Sequence, residues 1–375
     1  MIRTSKSILF EPIKIKNMDL RNRFVRSATY EGCADDGYVT DKQLNLYASL
    51  SEGEVGLIIT GITCVHDSGK LSKFQNSIAR GEFIDGFKRL TSVAHQRGAK
   101  IAVQLFHAGR EARFPKLSDR VPIAPSFLEA DPHFKNGYRA MTEDEIWQIV
   151  DAFGDGAKRA REAGFDAVQI HGAHAYLLSQ FLSPYTNRRD DKWGGRLENR
   201  LRLHREICQN IRRKVGEDYP ILIKIGVQDG FPGGLEFSEG KLAAQYLPEF
   251  GFDALEISQG LRGSTFEETE FKTKINHLDR EAYYRRWCAE IKKKVNVPVM
   301  LVGGMRTFEL MEEIVQNKEA DFISLSRPLI REPGIINDWK RGNYHRAKCI
   351  SCNNCLEALR KGEVLHCVQD KKGKP

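Results

Sequence analysis

The sequence predicts a (β/α)8 TIM barrel, an α/β fold in which eight parallel strands alternate with helices around a closed sheet. Eight short segments rich in β-branched and aliphatic residues recur along the chain, and most are separated by helical patterns. Such repetition predicts eight strand–helix units, which close a parallel sheet into a barrel. The alternative fold, a doubly wound open sheet, needs a G-x-G-x-x-G turn after its first strand, and the sequence has none there. The predicted strands are residues 24–29, 55–61, 100–107, 166–172, 220–226, 253–260, 297–304 and 321–327.

Several helix ends can be read from capping patterns. Thr142-Glu143-Asp144-Glu145 is a capping box that opens a long helix. Glycine readily takes the left-handed conformation that ends a helix. Four glycines stand where a helix should stop before the next strand: Gly98, Gly164, Gly216 and Gly251.

Composition and charge narrow the class of protein. With 375 residues, of which 41% are hydrophobic and 29% charged, the chain has enough apolar material for a large core. Its net charge of +8 is spread along the chain without a nucleic-acid-binding motif, so we expect no nucleic-acid partner. The N-terminus lacks the apolar region of a signal peptide and no segment is apolar enough to span a bilayer. We therefore expect a cytoplasmic protein.

Cysteine spacing divides the chain into a barrel over residues 1–340 and a Cys-rich extension over residues 341–375. Eight cysteines without an export signal indicate reduced thiols. Four are scattered and predicted to be buried: Cys33, Cys64, Cys208 and Cys288. The others form the pattern C-x2-C-x2-C-x11-C: Cys349, Cys352, Cys355 and Cys367. Four thiolates at this spacing suit an iron–sulfur cluster or a zinc ion, and the third interpretation is thiols that bind nothing.

Polar residues follow nearly every predicted strand, and in a (β/α)8 barrel the chemistry gathers at these C-terminal strand ends. The residues concerned are Ser27-Ala28-Thr29, Thr60-Gly61, Gln104 with His107, His171 with His174, Lys224, Ser258-Gln259, Gly303-Gly304 and Ser326-Arg327. After the fourth strand, His171, His174 and Tyr176 together could polarise a carbonyl and protonate a neighbouring carbon. The alternative is a structural histidine pair with a packing tyrosine.

Three of these strand ends suggest a ligand. Buried Gln104 needs partners for its amide, which a flat heterocycle would supply. Buried Lys224 needs an anion, from a ligand or from a structural salt bridge. Gly303-Gly304, a helix starting near Thr307, and Arg327 would form a phosphate cradle.

From Phe10 to about Pro333 the chain resembles the old yellow enzyme family of FMN-dependent oxidoreductases. The resemblance rests on four segments, residues 22–29, 104–110, 171–176 and 181–195. It implies FMN as the cofactor and NAD(P)H as the co-substrate. The cysteine pattern is similar to that of the trimethylamine dehydrogenase and dienoyl-CoA reductase branch, with one residue fewer between the second and third cysteines.

The resemblance also implies a role for each site residue. His171 and His174 would donate hydrogen bonds to a substrate oxygen, and Tyr176 would protonate the α-carbon of an activated C=C bond. The isoalloxazine edge would contact Ala28, Thr29, Gly61 and Gln104, with Lys224 beside its N1 and O2 atoms. The phosphate would be bound by Gly303, Gly304 and Arg327. The residue that tunes the flavin would be Thr29 or Tyr30.

The implied reaction passes hydride from reduced flavin to an alkene conjugated with a carbonyl, the flavin being reduced by NAD(P)H or by an electron-transfer protein. Because the sequence ends at Pro375, we expect any such donor to be a separate protein. The alternatives are an amine dehydrogenase or demethylase of the trimethylamine dehydrogenase type, and a flavin-free barrel that serves as a binding subunit. The partners considered are a small-molecule substrate, an electron-transfer protein and a second copy of the chain. Loops 114–138 and 260–279 are predicted to line the substrate mouth, where Arg113, His133, Arg262 and Lys272 suggest an anionic or polar substrate.

Overall fold

A closed barrel of eight parallel strands forms the centre of the molecule. The computed structural model describes residues 7–112, 121–129 and 131–373. Its strands, in chain order, are β1 (Ile13–Ile15), β2 (Met18–Leu20), β3 (Phe24–Arg26), β4 (Leu57–Cys64), β5 (Asn76–Ser77), β6 (Lys100–Phe106), β7 (Ile123–Ala124), β8 (Arg139–Ala140), β9 (Ala167–Gly172), β10 (Ile221–Gly226), β11 (Ala254–Ser258), β12 (Val299–Val302) and β13 (Phe322–Leu325). The barrel order is β3-β13-β12-β11-β10-β9-β6-β4, and β4 pairs with β3 to close it. The predicted (β/α)8 fold is confirmed.

Helices surround the barrel between its strands. They are α1 (Asp41–Glu52), α2 (Ile84–His95), α3 (Glu143–Glu162), α4 (Leu177–Leu182), α5 (Leu197–Arg200), α6 (Arg202–Val215), α7 (Phe237–Phe250), α8 (Arg285–Lys292), α9 (Phe308–Gln316), α10 (Arg327–Arg331), α11 (Ile335–Lys340) and α12 (Asn354–Arg360). The capping box at the start of α3 is confirmed, because Thr142 and Glu145 each bond the other's amide. The four predicted helix-ending glycines all have positive φ angles, between 73° and 108°.

Most strand ends differ from the prediction by one to three residues, and two of the differences affect the site. β4 runs to Cys64, three residues beyond the predicted end, and its pairing with β6 shifts between Ile59 and Ile62. β13 stops at Leu325, so that Arg327 is the first residue of α10 rather than the end of the strand. Both differences lie at the C-terminal face, where loop contacts compete with strand pairing.

The barrel interior is layered, because side chains two positions apart on a strand point to the same face. An apolar layer has one residue from each strand: Val25, Ile59, Ala102, Ala167, Leu222, Ala254, Met300 and Phe322. Below this layer the β1–β2 hairpin closes the barrel with Ile15, Met18 and Leu20. Two positions further along seven of the strands is a mainly polar layer: Ser27, Gln104, Gln169, Lys224, Glu256, Val302 and Ser324. This second layer is the base of the site described below.

The structure shows no helix, among the residues it describes, that has both the length and the apolar character needed to cross a membrane.

Candidate active site

A cavity opens at the C-terminal end of the barrel strands. It has a volume of about 260 Å³ and continues into a wider mouth of about 800 Å³. All but one of the residues predicted for catalysis or cofactor binding line it: Ala28, Thr29, Gln104, His171, His174, Tyr176, Lys224, Gly303, Gly304 and Arg327. The fold therefore assembles predicted residues from the ends of six barrel strands around one space.

Gly61 is the exception, because the irregular stretch of β4 carries it behind the lining. Its amide donates to Glu31 Oε1 at 3.1 Å and to the Tyr47 hydroxyl at 3.3 Å. A Cβ atom at this position would stand 2.2 Å from Glu31 Oε2, so glycine lets the carboxylate approach the backbone. The structure places Gly61 behind the cavity wall, where Ile62 lines the cavity, and the contact of Gly61 with a flavin stays a prediction.

The loop after β9 holds the two histidines in an uncommon backbone conformation. His174 and Ala175 have φ angles of 60° and 64°, a left-handed region that costs a non-glycine residue about 1–3 kcal/mol. The His174 amide donates to Gln259 O at 3.0 Å and the Ala175 amide to Gly260 O at 3.1 Å. These bonds fix the turn, which brings the ring centroids of His171 and His174 to 5.0 Å from each other.

Both imidazoles are neutral at physiological pH. Burial lowers the pKa of His171 well below its usual range, and electrostatic interactions with the His174 ring and with the Lys224 cation lower it further. Burial likewise lowers the pKa of His174, followed by the charges of Lys224 and Arg262. Nδ1 of His171 accepts from the Ala173 amide at 3.3 Å, so the neutral ring carries its proton on Nε2. His171 can therefore donate a hydrogen bond into the cavity.

Tyr176 completes this group on the same side of the cavity. Its ring packs edge-on against Phe106 at 4.5 Å and His171 at 5.0 Å between centroids. Burial raises the pKa of Tyr176, and the charge and hydrogen bond of Arg262 oppose that rise. The phenol is thus protonated at neutral pH and is available as a proton donor.

A buried hydrogen-bonded chain forms the base of the cavity and includes two residues that the sequence analysis did not name, Gln169 and Glu256. Lys224 Nζ lies 3.2 Å from Glu256 Oε2 and donates to Ser27 Oγ at 2.8 Å. Ser27 Oγ in turn donates to Glu256 Oε1 at 2.7 Å. Gln104 donates to Gln169, which donates to Glu256, at 2.7 and 2.8 Å. Lys224 thus has a structural salt bridge and also lines the cavity.

The predicted anion cradle is present in part. Gly303 and Gly304 line the cavity with φ angles of 127° and 74°, and Arg327 reaches it from the start of α10. The N-terminus of α9 does not contribute as predicted, because the Arg306 and Thr307 amides donate to Glu281 Oε2 at 2.7 and 2.9 Å. A side-chain carboxylate therefore occupies the position that the sequence analysis assigned to a phosphate.

Two hydroxyl groups near the cradle have different surroundings. Thr29 Oγ1 donates to Ser27 O at 2.9 Å and lies 2.8 Å from Ser326 Oγ. Ser324 Oγ is buried in the cavity wall without a hydrogen-bond partner in the structure described. A buried polar atom normally has a partner, so Ser324 indicates that a polar ligand belongs here. Tyr30 also lines the cavity, in an apolar cluster with Ile62 and Phe106, so the choice between Thr29 and Tyr30 as the tuning residue stays open.

The Cys-rich segment packs on the same face of the barrel. Cys349, Cys352, Cys355 and Cys367 all line one small cavity, which shares Arg327 and Asn353 with the main one. Burial raises the pKa of Cys355 and of Cys367. In the described ranges, no three His, Cys, Asp or Glu side chains stand in position to hold a metal ion.

The predicted substrate loops are only partly described. Arg113, residues 114–120 and residue 130 lie outside the described residues. His133 stacks on Phe231 with ring centroids 3.9 Å apart. Arg262 and Phe271 line both the cavity and its mouth, as the prediction for loop 260–279 requires.

A match to a protein-family model shows which family the chain belongs to. The model of the NADH:flavin oxidoreductase / NADH oxidase family matches residues 8–346. The chain belongs to this family. The description of this family agrees with the flavin oxidoreductase chemistry that the sequence predicted.

Curated family members resemble the chain over most of its length. An NADH oxidase of Thermoanaerobacter brockii is 38% identical over 355 residues, covering 92% of this chain and 52% of the relative. An NADPH dehydrogenase of a Geobacillus species is 34% identical over 330 residues, 88% of this chain and 92% of the relative. A cinnamate reductase of Clostridium sporogenes is 32% identical over 390 residues, 96% of this chain and 57% of the relative. The chain therefore spans about half the length of two of these three relatives.

Solved structures show the same fold. A 2-naphthoyl-CoA reductase in complex with 2-naphthoyl-CoA superposes with a TM-score of 0.88 at 25% identity, covering 96% of this chain and 56% of that one. A histamine dehydrogenase from a Rhizobium species superposes with a TM-score of 0.85 at 26% identity, covering 96% and 52%. Both of these proteins extend well beyond the part that matches this chain.

The site residues fit the flavin nucleotide of this family. Gln104, Lys224 and the unpartnered Ser324 hydroxyl offer polar atoms for a ring system rich in carbonyl and imino groups. Gly303, Gly304 and Arg327 offer a concave, positively charged end for a phosphate. The donor set therefore suits FMN.

Proposed function

We propose that this protein is an FMN-dependent oxidoreductase that reduces a C=C bond conjugated with a carbonyl or carboxyl group. When bound, FMN accepts an electron pair from NAD(P)H and delivers hydride to the alkene. The observation that carries the proposal is the grouping of His171, His174 and Tyr176 at one side of a cavity whose other residues suit FMN.

The two histidines bind and polarise the substrate in this proposal. As neutral rings, they donate hydrogen bonds to the substrate oxygen without adding positive charge to the cavity. His174 is held by Ser258, whose Oγ lies 2.8 Å from Nε2. Hydrogen bonds at the oxygen draw electrons from the conjugated carbon, which favours addition there. Tyr176 then supplies the proton to the neighbouring carbon.

The walls favour a substrate with an apolar body. Ile62, Leu71, Phe271, Leu356 and Leu359 line the cavity, and the two last come from α12 in the Cys-rich segment. Apolar walls exclude water and accept an aryl or alkyl group beside the reacting bond. The names of the cinnamate reductase and the 2-naphthoyl-CoA reductase support a conjugated aromatic acid or its thioester as the substrate class.

Amine oxidation is the second candidate, supported by the likeness to histamine dehydrogenase. The observation in its favour is Glu270, a buried carboxylate 3.7 Å from His174 Nδ1, which could attract an ammonium group. However, Arg262 already pairs with Glu270 at 2.6 Å, which offsets that negative charge. A site whose carboxylate is neutralised and whose imidazoles donate hydrogen bonds suits an oxygen better than an amine.

Anaerobic turnover distinguishes the candidates. The FMN-saturated protein is mixed with NADH or NADPH and with cinnamate or cinnamaldehyde. In a separate reaction without nicotinamide, it is mixed with histamine and phenazine methosulfate as the electron acceptor. The products of both reactions are identified by mass spectrometry. We expect saturated product from a conjugated alkene and none from histamine. Oxidation of histamine without alkene reduction would establish the second candidate. Failure of the protein to retain FMN would instead support a flavin-free binding subunit.

We further propose that the four late cysteines hold an iron–sulfur cluster that exchanges electrons with the flavin site. All four cysteines line one cavity, which supports a shared centre. The C-x2-C-x2-C spacing of the first three is also used by ferredoxin-type proteins, which favours an iron–sulfur cluster over zinc. Residues 341–375 would then form a distinct extension to the barrel of residues 1–340, and an electron-transfer protein would be a partner.

Metal analysis of anaerobically purified protein tests this assignment. We expect iron and acid-labile sulfide near one cluster per chain, and a large loss of both in Cys349→Ala with Cys355→Ala. The matched control is Cys208→Ala with Cys288→Ala, because these cysteines are buried in the hydrophobic core and do not line the cavity of the late group. One zinc per chain, or no metal, would rule out the cluster.

A further inference from the structure

Arg262 and Glu270 form a buried ion pair directly beside Tyr176. The proposed reaction assigns roles to His171, His174 and Tyr176 but none to Arg262. Arg262 Nε and Nη2 donate to both carboxylate oxygens of Glu270 at 2.6–3.0 Å, which fixes the plane of the guanidinium. Its central carbon lies 5.1 Å from the centroid of the Tyr176 ring. The Arg262 side chain is 24% exposed and that of Glu270 is 7% exposed, so water screens the pair only in part.

Charged groups from several elements face Tyr176. Arg262 and Glu270 come from the loop after β11, and Glu111 comes from the loop after β6. His171 at the end of β9 and Tyr30 after β3 complete the surroundings. Glu111 and Glu270 both disfavour a negative charge on the phenol oxygen, and Arg262 is the cation among these groups. Loss of a proton from Tyr176 would therefore be costly without Arg262.

We propose that Arg262, fixed in place by Glu270, is a positioning residue that stabilises the phenolate formed when Tyr176 gives its proton to the substrate. The inference rests on the proposed function. In the step concerned, the O–H bond of Tyr176 breaks as a C–H bond forms at the α-carbon. The β-carbon receives hydride whose electron pair originates from NAD(P)H through the cofactor. Water entering from the mouth returns a proton to the phenolate.

Arg262 cannot itself replace Tyr176 as the donor. Burial alone would lower the pKa of Arg262, but the Glu270 carboxylate and Tyr176 together raise it above its ordinary value. The guanidinium therefore keeps its proton and acts by charge and hydrogen bonding. Glu270, in turn, holds the guanidinium at the ring rather than pointing into the mouth.

A double-mutant cycle on the FMN-loaded enzyme tests the coupling between the two side chains. Arg262→Gln should slow reoxidation of the reduced enzyme by cinnamaldehyde about tenfold, the effect of a one-unit change in the proton affinity of the donor. In a Tyr176→Phe background the same substitution should change the rate by less than about twofold, because the donor is already absent. Arg262→Lys should recover part of the lost rate. Arg285→Gln is the matched control, because it breaks a similar pair with Glu319 and neither residue lines the cavity.

A titration of the phenol provides a readout independent of turnover. The enzyme is labelled with 3-fluorotyrosine, and the fluorine resonance missing from Tyr176→Phe identifies residue 176. Its titration midpoint should move to higher pH in Arg262→Gln and return toward the original in Arg262→Lys. If Arg262→Gln does not fold because Glu270 is left without its cation, two other variants are compared: Glu270→Gln and Arg262→Gln/Glu270→Gln. The titration midpoint of Tyr176 should be higher in the double variant than in Glu270→Gln.

The outcomes separate the inference from the proposed function. Equal slowing by Arg262→Gln in both backgrounds, or an unchanged midpoint, would overturn the role of Arg262 and leave Tyr176 as the donor. If Tyr176→Phe itself reduces cinnamaldehyde at the original rate, the donor assignment within the proposed function fails first.

Discussion

Replacing Tyr176 with Phe slows alkene reduction by about 10²–10⁴-fold and leaves the reduction of FMN by NAD(P)H unchanged. The phenol is the protonated group beside His171 at the cavity, and a positioned general acid contributes an effect of this size. Reduction of FMN by a nicotinamide involves no protonation of a carbon atom, so the rate of this half-reaction should be the same in Tyr176→Phe as in the original protein. Stopped-flow absorbance near 450 nm measures the two half-reactions separately.

The control for this prediction is Tyr219→Phe, which removes a buried hydroxyl that donates to Phe165 O at 2.9 Å. That hydroxyl lies at the N-terminal ends of β9 and β10, and Tyr219 does not line the cavity. We expect both half-reactions of this variant to keep their rates. Equal slowing of both half-reactions in Tyr176→Phe would mean that the residue shapes the site rather than donating a proton.

Replacing Lys224 with Met should lower the free energy of unfolding by about 3–5 kcal/mol. The substitution leaves the Glu256 carboxylate, which is fully buried, without its cation. Removing one partner of a buried pair is costly, whereas replacing both can be nearly neutral. The double variant Lys224→Met/Glu256→Leu should therefore be more stable than the single one. Urea unfolding of FMN-free protein measures the difference without a contribution from cofactor affinity.

A surface pair supplies the comparison for this second prediction. Lys241 pairs with Glu290 at 2.9 Å, with both side chains about one-third exposed. Because water screens such pairs, Lys241→Met should change the free energy of unfolding far less than Lys224→Met does. The account of Lys224 would be contradicted if its replacement cost no more than that of Lys241, or if the double variant were less stable than Lys224→Met alone.

The fold and most of the site could be predicted because strand periodicity carries information from residue to residue. Once Gln104 and Lys224 are assigned to the barrel interior, side-chain alternation places Glu256 in the same layer, two residues beyond the apolar Ala254. Glu256 was missed because it stands among apolar neighbours with no motif around it. The two-residue alternation of side chains along the strand could have identified Glu256 as an interior residue.

Other features depend on contacts between distant segments, which local patterns do not encode. Gly61 was assigned to the cavity, but the Glu31 carboxylate bonds its amide. The N-terminus of α9 looked free for a phosphate, but Glu281 occupies it. The left-handed backbone at His174 is likewise imposed by the loop after β11. In each case a partner remote in sequence decides the local structure.

The packing of the Cys-rich segment on the cavity also depends on contacts with segments remote in sequence. The Leu365 amide donates to Glu31 O at 2.9 Å, and Leu356 and Leu359 line the cavity with residues from the start of the chain. Cysteine spacing predicts a compact segment but says nothing about where it packs. This segment therefore contributes to the cavity wall as well as to the proposed cluster.

Single-turnover reoxidation tests the central proposal most directly. The FMN-loaded protein is reduced anaerobically with one equivalent of NADH or NADPH and then mixed with cinnamaldehyde or with its isolated-alkene analogue, allylbenzene. We predict that the absorbance near 450 nm returns with cinnamaldehyde, in step with formation of one equivalent of saturated product, and does not return with allylbenzene. Equal return with both compounds, or no return with either, would contradict a site in which His171, His174 and Tyr176 act on a conjugated alkene.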